Sequence, residues 1–227
     1  MKYYPVCLDI NGRNCLVVGG GGVGTRKVRG LLQSGAKVTV VSPDVSKALT
    51  ILAVEKKIRL FERAYKTNDL EGQFLVIGAT DNEVLNRQIY VDAEKRNMLC
   101  NIADRPQACN FILPAVIRRG DLSIGISTSG KSPAFARFLR LKLEQEYGME
   151  YASLLDLMGT IRQKLLAQEH APEEHKPLFE ALISGGLLDL IRENNPTGID
   201  ALLTRILGVD FNLAELDFSI QPTGVSK

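Results

Sequence analysis

The chain has 227 residues, 28 Lys+Arg against 26 Asp+Glu, and a formal charge of +2, which gives no reason to expect a nucleic-acid or membrane-surface partner. Hydrophobic and charged shares of 45% and 24% are those of a globular chain with a core, and they exclude wholesale disorder. No apolar stretch approaches the roughly 18 residues of a membrane span, and Met1-Lys2-Tyr3-Tyr4-Pro5 lacks a signal peptide's apolar centre, so a cytoplasmic protein is expected.

From Asn14 to Asp104, short apolar runs alternate with amphipathic stretches, the rhythm of βαβ units. Cys15-Leu16-Val17-Val18 reads as a buried strand, followed by glycines and a helix from Val23 to about Ser34 that Gly35 ends. Lys37–Val41, Ile58–Phe61, Phe74–Ile77 and Leu99–Ile102 read as four more strands. Asn82–Arg96 reads as a helix with Val84, Leu85 and Ile89 on one face. Strands separated by helices pair in parallel through right-handed crossovers, so the expected class is α/β, a Rossmann-like doubly wound sheet over residues 1–112.

Residues 113–147 change character. Phe111-Ile112-Leu113 and Leu122–Ile126 flank Arg118-Arg119-Gly120-Asp121, a turn between two antiparallel strands. Ser132-Pro133 then opens a helix whose apolar stripe is Phe135, Phe138, Leu139 and Leu143. This small α+β region is too poor a core to stand alone. Residues 148–227 read as helical throughout. Tyr151, Leu154, Met158, Ile161 and Leu165 share one face, Pro172, Gly185-Gly186 and Asn194-Asn195-Pro196 punctuate shorter helices, and the last dozen residues are expected to fray.

Gly19-Gly20-Gly21-Gly22-Val23-Gly24 satisfies G-x-G-x-x-G at positions 19, 21 and 24, between the first strand and the first helix. Gly19 makes the tight turn, Gly21 lets the backbone approach a pyrophosphate, and Gly24 lets helix and strand pack closely. The free amides at the helix N-terminus, around Gly22 and Val23, would receive the pyrophosphate. The second strand ends Val41-Ser42-Pro43-Asp44, with serine where the ribose-binding acid is usual and the acid two residues late. Asp44 reaches the ribose or, equally well, caps a helix from Val45 onward. No arginine sits there to invite a 2′-phosphate, so NAD is the expected cofactor. Thr80, with Asp81, follows the fourth strand, where a nicotinamide half is contacted.

Gly125–Ser132 is a literal G-x-x-x-x-G-K-S, which would set Lys131 on phosphates and Ser132 on magnesium. Its surroundings argue against that reading. A phosphate loop of this type needs a parallel sheet and a second strand ending in a metal-binding aspartate, yet only helical patterns follow, with Asp156 and Asp189 inside them. The loop better suits another anion, such as a substrate carboxylate. Cys7, Cys15, Cys100 and Cys109 show no C-x-x-C spacing and read as small buried residues. His170 and His175, five apart, fit no single helix face and read as surface residues, so no metal site is expected.

The glycine loop with Arg26-Lys27, the strand end Asn101-Ile102-Ala103-Asp104, the Phe111-Ile112-Leu113-Pro114 segment and the Ser127–Pro133 loop occur in an order and spacing that resembles the precorrin-2 dehydrogenase and sirohydrochlorin ferrochelatase family. The resemblance covers residues 1 to about 147 and implies a Rossmann domain (1–112), a dimerisation region (113–147) and a helical domain (148–227). It implies a homodimer acting on a tetrapyrrole: precorrin-2 gives up hydride and proton, the hydride passing to NAD, to yield sirohydrochlorin. Ferrous iron is then a substrate in those members that insert it. Some relatives continue into a methyltransferase domain, and that activity is not expected of this sequence.

In this family the key carboxylate corresponds to Asp104, expected at the C-terminal end of the fifth strand. A carboxylate facing an eight-carboxylate substrate has its pKa raised by like charge, which suits it to act as base. Thr128 and Lys131 correspond to substrate-binding positions, within a stretch made basic by Arg118, Arg119, Arg137 and Arg140. Thr128 and Ser129 depart from the family's commoner serine and glycine. The reading from a different class is a non-catalytic NAD-sensing regulatory module, which would keep the glycine loop but need neither Asp104 nor the Ser127–Pro133 loop.

Overall fold

A computed structural model describes residues 3–103 and 105–220. The chain divides into two compact units, Met1–Leu113 and Pro114–Lys227.

The first unit is a five-stranded parallel sheet, with strands β1 (Asn14–Gly20), β2 (Lys37–Val45), β3 (Ile58–Phe61), β4 (Leu75–Gly78) and β5 (Leu99–Ile102) in the order β3-β2-β1-β4-β5. Helices α1 (Gly22–Gln33), α2 (Lys47–Val54) and α3 (Glu83–Glu94) make three of the connections. Each central strand is buried on both sides because its alternate residues feed different cores. Cys15 and Val17 pack with Val28, Leu31 and Leu49 on one face, and Leu16 and Val18 with Ile89, Ala93 and Ile102 on the other. Strand order reverses direction between β1 and β4, the point where open α/β sheets form their ligand crevice.

Several boundaries differ from expectation. β2 runs on to Val45 because Gly20 pairs with Val45 across a register shift. Val84 is 80% exposed and α3 instead buries Asn86, Ile89, Asp92 and Ala93, the true period-3.6 stripe. Cys15 and Cys100 are buried as expected, whereas Cys7 is exposed and Cys109 half-buried.

In the second unit, β6 (Ala115–Arg119) and β7 (Leu122–Ile126) form an antiparallel pair. The expected strand at Phe111–Leu113 is absent: the ladder starts after Pro114, and its register pairs Arg119 with Leu122. That leaves a two-residue turn, Gly120-Asp121, in which Gly120 adopts φ +55. Helices α4 (Pro133–Glu146), α5 (Glu150–Ala167), α6 (Pro172–Ser184), α7 (Leu187–Arg192) and α8 (Pro196–Leu207) follow. Leu154, Leu157, Ile161 and Leu165 of α5 pack with Leu182, Leu187, Ile191, Ile199 and Leu203.

The expected punctuation holds, for Asn195 Oδ1 caps α8 by accepting from the Gly198 amide at 2.9 Å. His175 is not a surface residue: it is 4% exposed, and neither ring nitrogen has a hydrogen-bond partner among the described residues. Against the expected fraying of the last dozen residues, Leu216 belongs to the helical core and Phe218 and Ile220 pack against it; residues 221–227 lie outside the described residues.

Candidate functional site

The five loop glycines fall into two groups, three pressed against backbone and two facing open space. Gly19 adopts φ +118, and a Cβ there would meet the Ala79 carbonyl oxygen at 2.2 Å. A Cβ on Gly20 would meet the Asp44 carbonyl oxygen at 2.3 Å, and one on Gly24 the Gly19 carbonyl oxygen at 2.1 Å. These three seat the loop against β2, β4 and its own helix, all backbone contacts that leave no room for a methyl group. Gly21 and Gly22 differ, since nothing lies within 4 Å of either Cβ position. The loop is thus packed tightly from below and open above.

α1 starts on this open side. Gly21 is its N-cap residue, no side chain caps the helix, and its first turn carries no acidic residue, so its leading amides are available to an anion. The hydroxyl of Thr25, buried beneath, donates to the Gly21 carbonyl at 2.9 Å and lies 2.8 Å from the Ser46 hydroxyl. With its own proton given to Gly21, Thr25 accepts from Ser46, so α2's N-terminus is tied to the loop. That brace was not foreseen, because single hydroxyl residues carry no sequence signal. Backbone donors at a dipole's positive end, in a cradle that a side chain would fill, fit a dinucleotide's pyrophosphate.

Ser42, Pro43, Asp44 and Thr80 come to the same C-terminal edge of the sheet. Ser42 is buried, and its hydroxyl donates to the Asp44 carbonyl at 2.7 Å. Pro43 and Asp44 are exposed. Asp44 does not cap α2, because Val45 is still strand and Ser46 holds the N-cap position. Thr80 is half-buried beside Gly19, its amide 3.2 Å from Gly19's Cβ position; its hydroxyl donates to Asn86 Oδ1 at 2.9 Å, and its carbonyl accepts from Asn86 Nδ2. Asn86 therefore fixes Thr80, a role that the period of α3 conceals.

β5 ends at the same edge, where the Ala103 amide donates to the Gly78 carbonyl at 2.8 Å. Asp104, next in sequence, lies outside the described residues. Arg105 after it pairs with Glu83 in the first turn of α3. Burial pushes the Cys15 thiol up to about 11 and the Cys100 thiol up to about 12, the latter with smaller contributions from Cys109 and Glu94, so both are neutral at physiological pH rather than nucleophilic.

Thr128 and Lys131 belong to the second unit. The Thr128 hydroxyl accepts from the Ser132 amide at 3.2 Å, its carbonyl accepts from the Lys131 amide at 3.0 Å, and Lys131 is exposed. Ser129 adopts φ +55, a left-handed conformation that explains why glycine suits the position. This loop follows a strand of a two-stranded antiparallel sheet, which disposes of the phosphate-loop reading. Of the basic residues nearby, Arg119 of β6 donates to the Tyr147 and Glu144 carbonyls and so holds the end of α4, while Arg140 pairs with Glu144 one turn on within α4 itself. Among the described residues no group of three or more His, Cys, Asp or Glu is arranged to hold a metal ion, and no helix is long and apolar enough to cross a membrane.

Residues 6–115 match the protein family described as "Putative NAD(P)-binding", and residues 119–146 match "Sirohaem biosynthesis protein central". The chain is 36% identical over 185 residues to a siroheme synthase of Vesicomyosocius okutanii, covering 82% of this chain and 40% of that protein. It is 34% identical over 191 residues to a siroheme synthase of Photobacterium profundum, covering 84% and 41%. The chain thus spans about two fifths of the length of these curated relatives. Among solved structures, the protein titled SirC, precorrin-2 dehydrogenase, superposes with a TM-score of 0.76 at 28% identity, covering 90% of this chain and 98% of that one.

Proposed function

The chain belongs to the sirohaem-biosynthesis family that joins an NAD(P)-binding domain to the sirohaem central region, and we propose that it oxidises precorrin-2 to sirohydrochlorin with NAD. Two hydrogens leave the substrate, one as hydride and one as proton. NAD, when bound, supplies the hydride acceptor.

Gly21, Gly22, Val23 and Gly24 present backbone amides to the pyrophosphate, while Gly19 holds the loop against the end of β4. Ser42 and Pro43 form the wall beside the ribose. Asp44 accepts hydrogen bonds from the ribose hydroxyls, and its charge, with no arginine at Ser42–Val45, disfavours a 2′-phosphate. Thr80, fixed by Asn86, borders the nicotinamide half. Asp104 takes the proton. Thr128 and Lys131 bind substrate carboxylates, one by hydroxyl donation and one by charge.

The observation that carries this reading is the glycine loop, closed beneath and open above, at the strand-order reversal of the sheet. Precorrin-2 mixed anaerobically with NAD and the protein is expected to give the sirohydrochlorin spectrum; an unchanged tetrapyrrole spectrum with active substrate overturns the proposal. Asp104→Ala is expected to lower dehydrogenase activity by roughly 10²–10⁴-fold in a folded protein, and full activity would remove Asp104 from the mechanism.

Ferrous iron enters this scheme as the substrate of a following insertion step, checked by adding it to the same reaction. The working form is a homodimer: α4 leaves Phe135 and Phe138 stacked at 6.2 Å and more than half exposed, an apolar stripe suited to a second copy. Sedimentation at rising concentration tests that assignment.

A further inference from the structure

The acid at the end of β2 comes two residues later than is usual for a ribose-binding acid, and the register of β2 against β1 accounts for the delay. Val41 pairs with Val18 and Val45 with Gly20, so two steps along β1 are matched by four along β2. Ser42-Pro43-Asp44 therefore bulges from the strand, and Pro43, with no N–H to give to a ladder, is tolerated at such a bulge. The bulge takes up the two extra residues and sets Asp44 against the glycine loop, its carbonyl oxygen 2.3 Å from the Cβ position of Gly20.

Both ends of the bulge are anchored without help from its middle. At its start, Val41 is paired with Val18 on one side and Phe61 on the other. At its end, the Ser46 amide donates to the Gly20 carbonyl at 2.9 Å, and the Ser46 hydroxyl lies 2.8 Å from that of Thr25. Between these anchors a single side chain closes the bulge. Ser42 is 7% exposed, and its hydroxyl donates across to the Asp44 carbonyl at 2.7 Å. With its proton engaged there, that hydroxyl has none to give to a ribose. The Asp44 side chain, in contrast, is exposed at the rim.

We propose that Ser42 is a positioning residue that sets the choice between NAD and NADP: by closing the bulge it fixes the Asp44 backbone, and with it the place from which the carboxylate meets the adenosine ribose. This rests on the assignment of Asp44 to that ribose. A free ribose diol donates to a carboxylate, whereas a 2′-phosphate is repelled by it. On a loosened bulge the carboxylate averages over more positions, which weakens the hydrogen bond to the diol and the repulsion of the phosphate together. Selectivity is then lost while pyrophosphate binding is kept, because Gly19, Gly20 and Gly24 seat the cradle by contacts of their own.

The test is calorimetric titration of the full chain with NAD and with NADP, comparing wild type, Ser42→Ala, Ser42→Thr, Ser42→Cys and Asp44→Ala, with Tm followed alongside. Asp44→Ala should lower the ratio of NAD affinity to NADP affinity by about tenfold to a hundredfold, the range for losing a charged hydrogen-bonding partner. Ser42→Ala should lower it by about threefold to tenfold, weakening NAD but not NADP, and Ser42→Thr, which keeps the hydroxyl, should restore it. In the Asp44→Ala background, Ser42→Ala should change the ratio no further. A folded Ser42→Ala chain with the wild-type ratio overturns the proposal. So does one in which NAD and NADP weaken by the same factor, the mark of a merely structural role. Should alanine prevent folding, Ser42→Cys, similar in size but a weaker donor, must lower the ratio or the proposal fails. If Asp44→Ala shifts the ratio while the Ser42 variants do not, only the positioning role fails; if Asp44→Ala leaves the ratio unchanged, the ribose assignment fails and takes this proposal with it.

Discussion

The Gly19–Gly24 loop and the Gly125–Ser132 loop both spell nucleotide-binding motifs, and both join a strand to a helix. The first sits between neighbours on either side in a parallel sheet, with three of its glycines pressed against backbone and the other two facing open space. The second leaves a two-stranded antiparallel pair, and its interior is occupied by its own Thr128 hydroxyl bound to the Ser132 amide. In one loop the amides are left for a ligand, in the other some are already satisfied. A glycine motif has chemical meaning through what its neighbours do with the backbone donors.

The strongest way to break this contrast is Gly24→Val. Its Cβ would start 2.1 Å from the Gly19 carbonyl oxygen, so the loop must move off the sheet. A loss of about 3 kcal/mol or more in stability of the first unit is expected, read by denaturant unfolding, together with loss of NAD binding. Gly21→Val separates binding from folding: with nothing within 4 Å, Tm should hardly change while NAD affinity falls by roughly tenfold to a hundredfold, about 1.4–2.8 kcal/mol, by calorimetry. If both variants fold and bind NAD normally, the loop is not the cofactor site. Lys131→Ala should leave NAD binding intact.

A second difference between the units is chemical. All four cysteines lie in the first unit, and two are buried there. Because burial raises the folded thiol pKa values to about 11 and about 12 from 9.0, the folded state holds protons that the unfolded chain releases. Their stabilising effect is complete below about pH 9 and is lost as pH rises through 11 to 12, at up to about 1.4 kcal/mol per pH unit for each thiol. Unfolding of the first unit followed from pH 8 to 11 (an experimental range of about three units) should show this decline, and Cys15→Ala should reduce it. The smallest effect is Ser129→Gly, which relieves the left-handed strain at φ +55 and should stabilise the second unit by about 0.5 kcal/mol, net of the entropy glycine costs.

Much of the first unit was legible because its signals are local. A two-sided buried strand is a continuous apolar run, and a glycine at a tight turn is required by its own φ, so β1, the loop and the five parallel strands followed from the sequence. What was illegible depends on partners distant in the chain. β2 continues past Val41 only because Gly20 pairs with Val45. β6 begins after Pro114 because its register with β7 demands a two-residue turn. His175 is buried by the packing of the helical unit, and Asn86 is recruited by Thr80. At the site, then, the sequence exposes the backbone cradle but not the side chains that brace it.

The most direct measurement is the count of NADH formed per sirohydrochlorin when precorrin-2 is titrated anaerobically into the protein with NAD. The account predicts one NADH for each tetrapyrrole oxidised, formed only at roughly tenfold to a hundredfold higher NAD in Gly21→Val and indifferent to added ATP. Bound NAD with no NADH formed, or tetrapyrrole oxidation that proceeds equally without NAD, would contradict it.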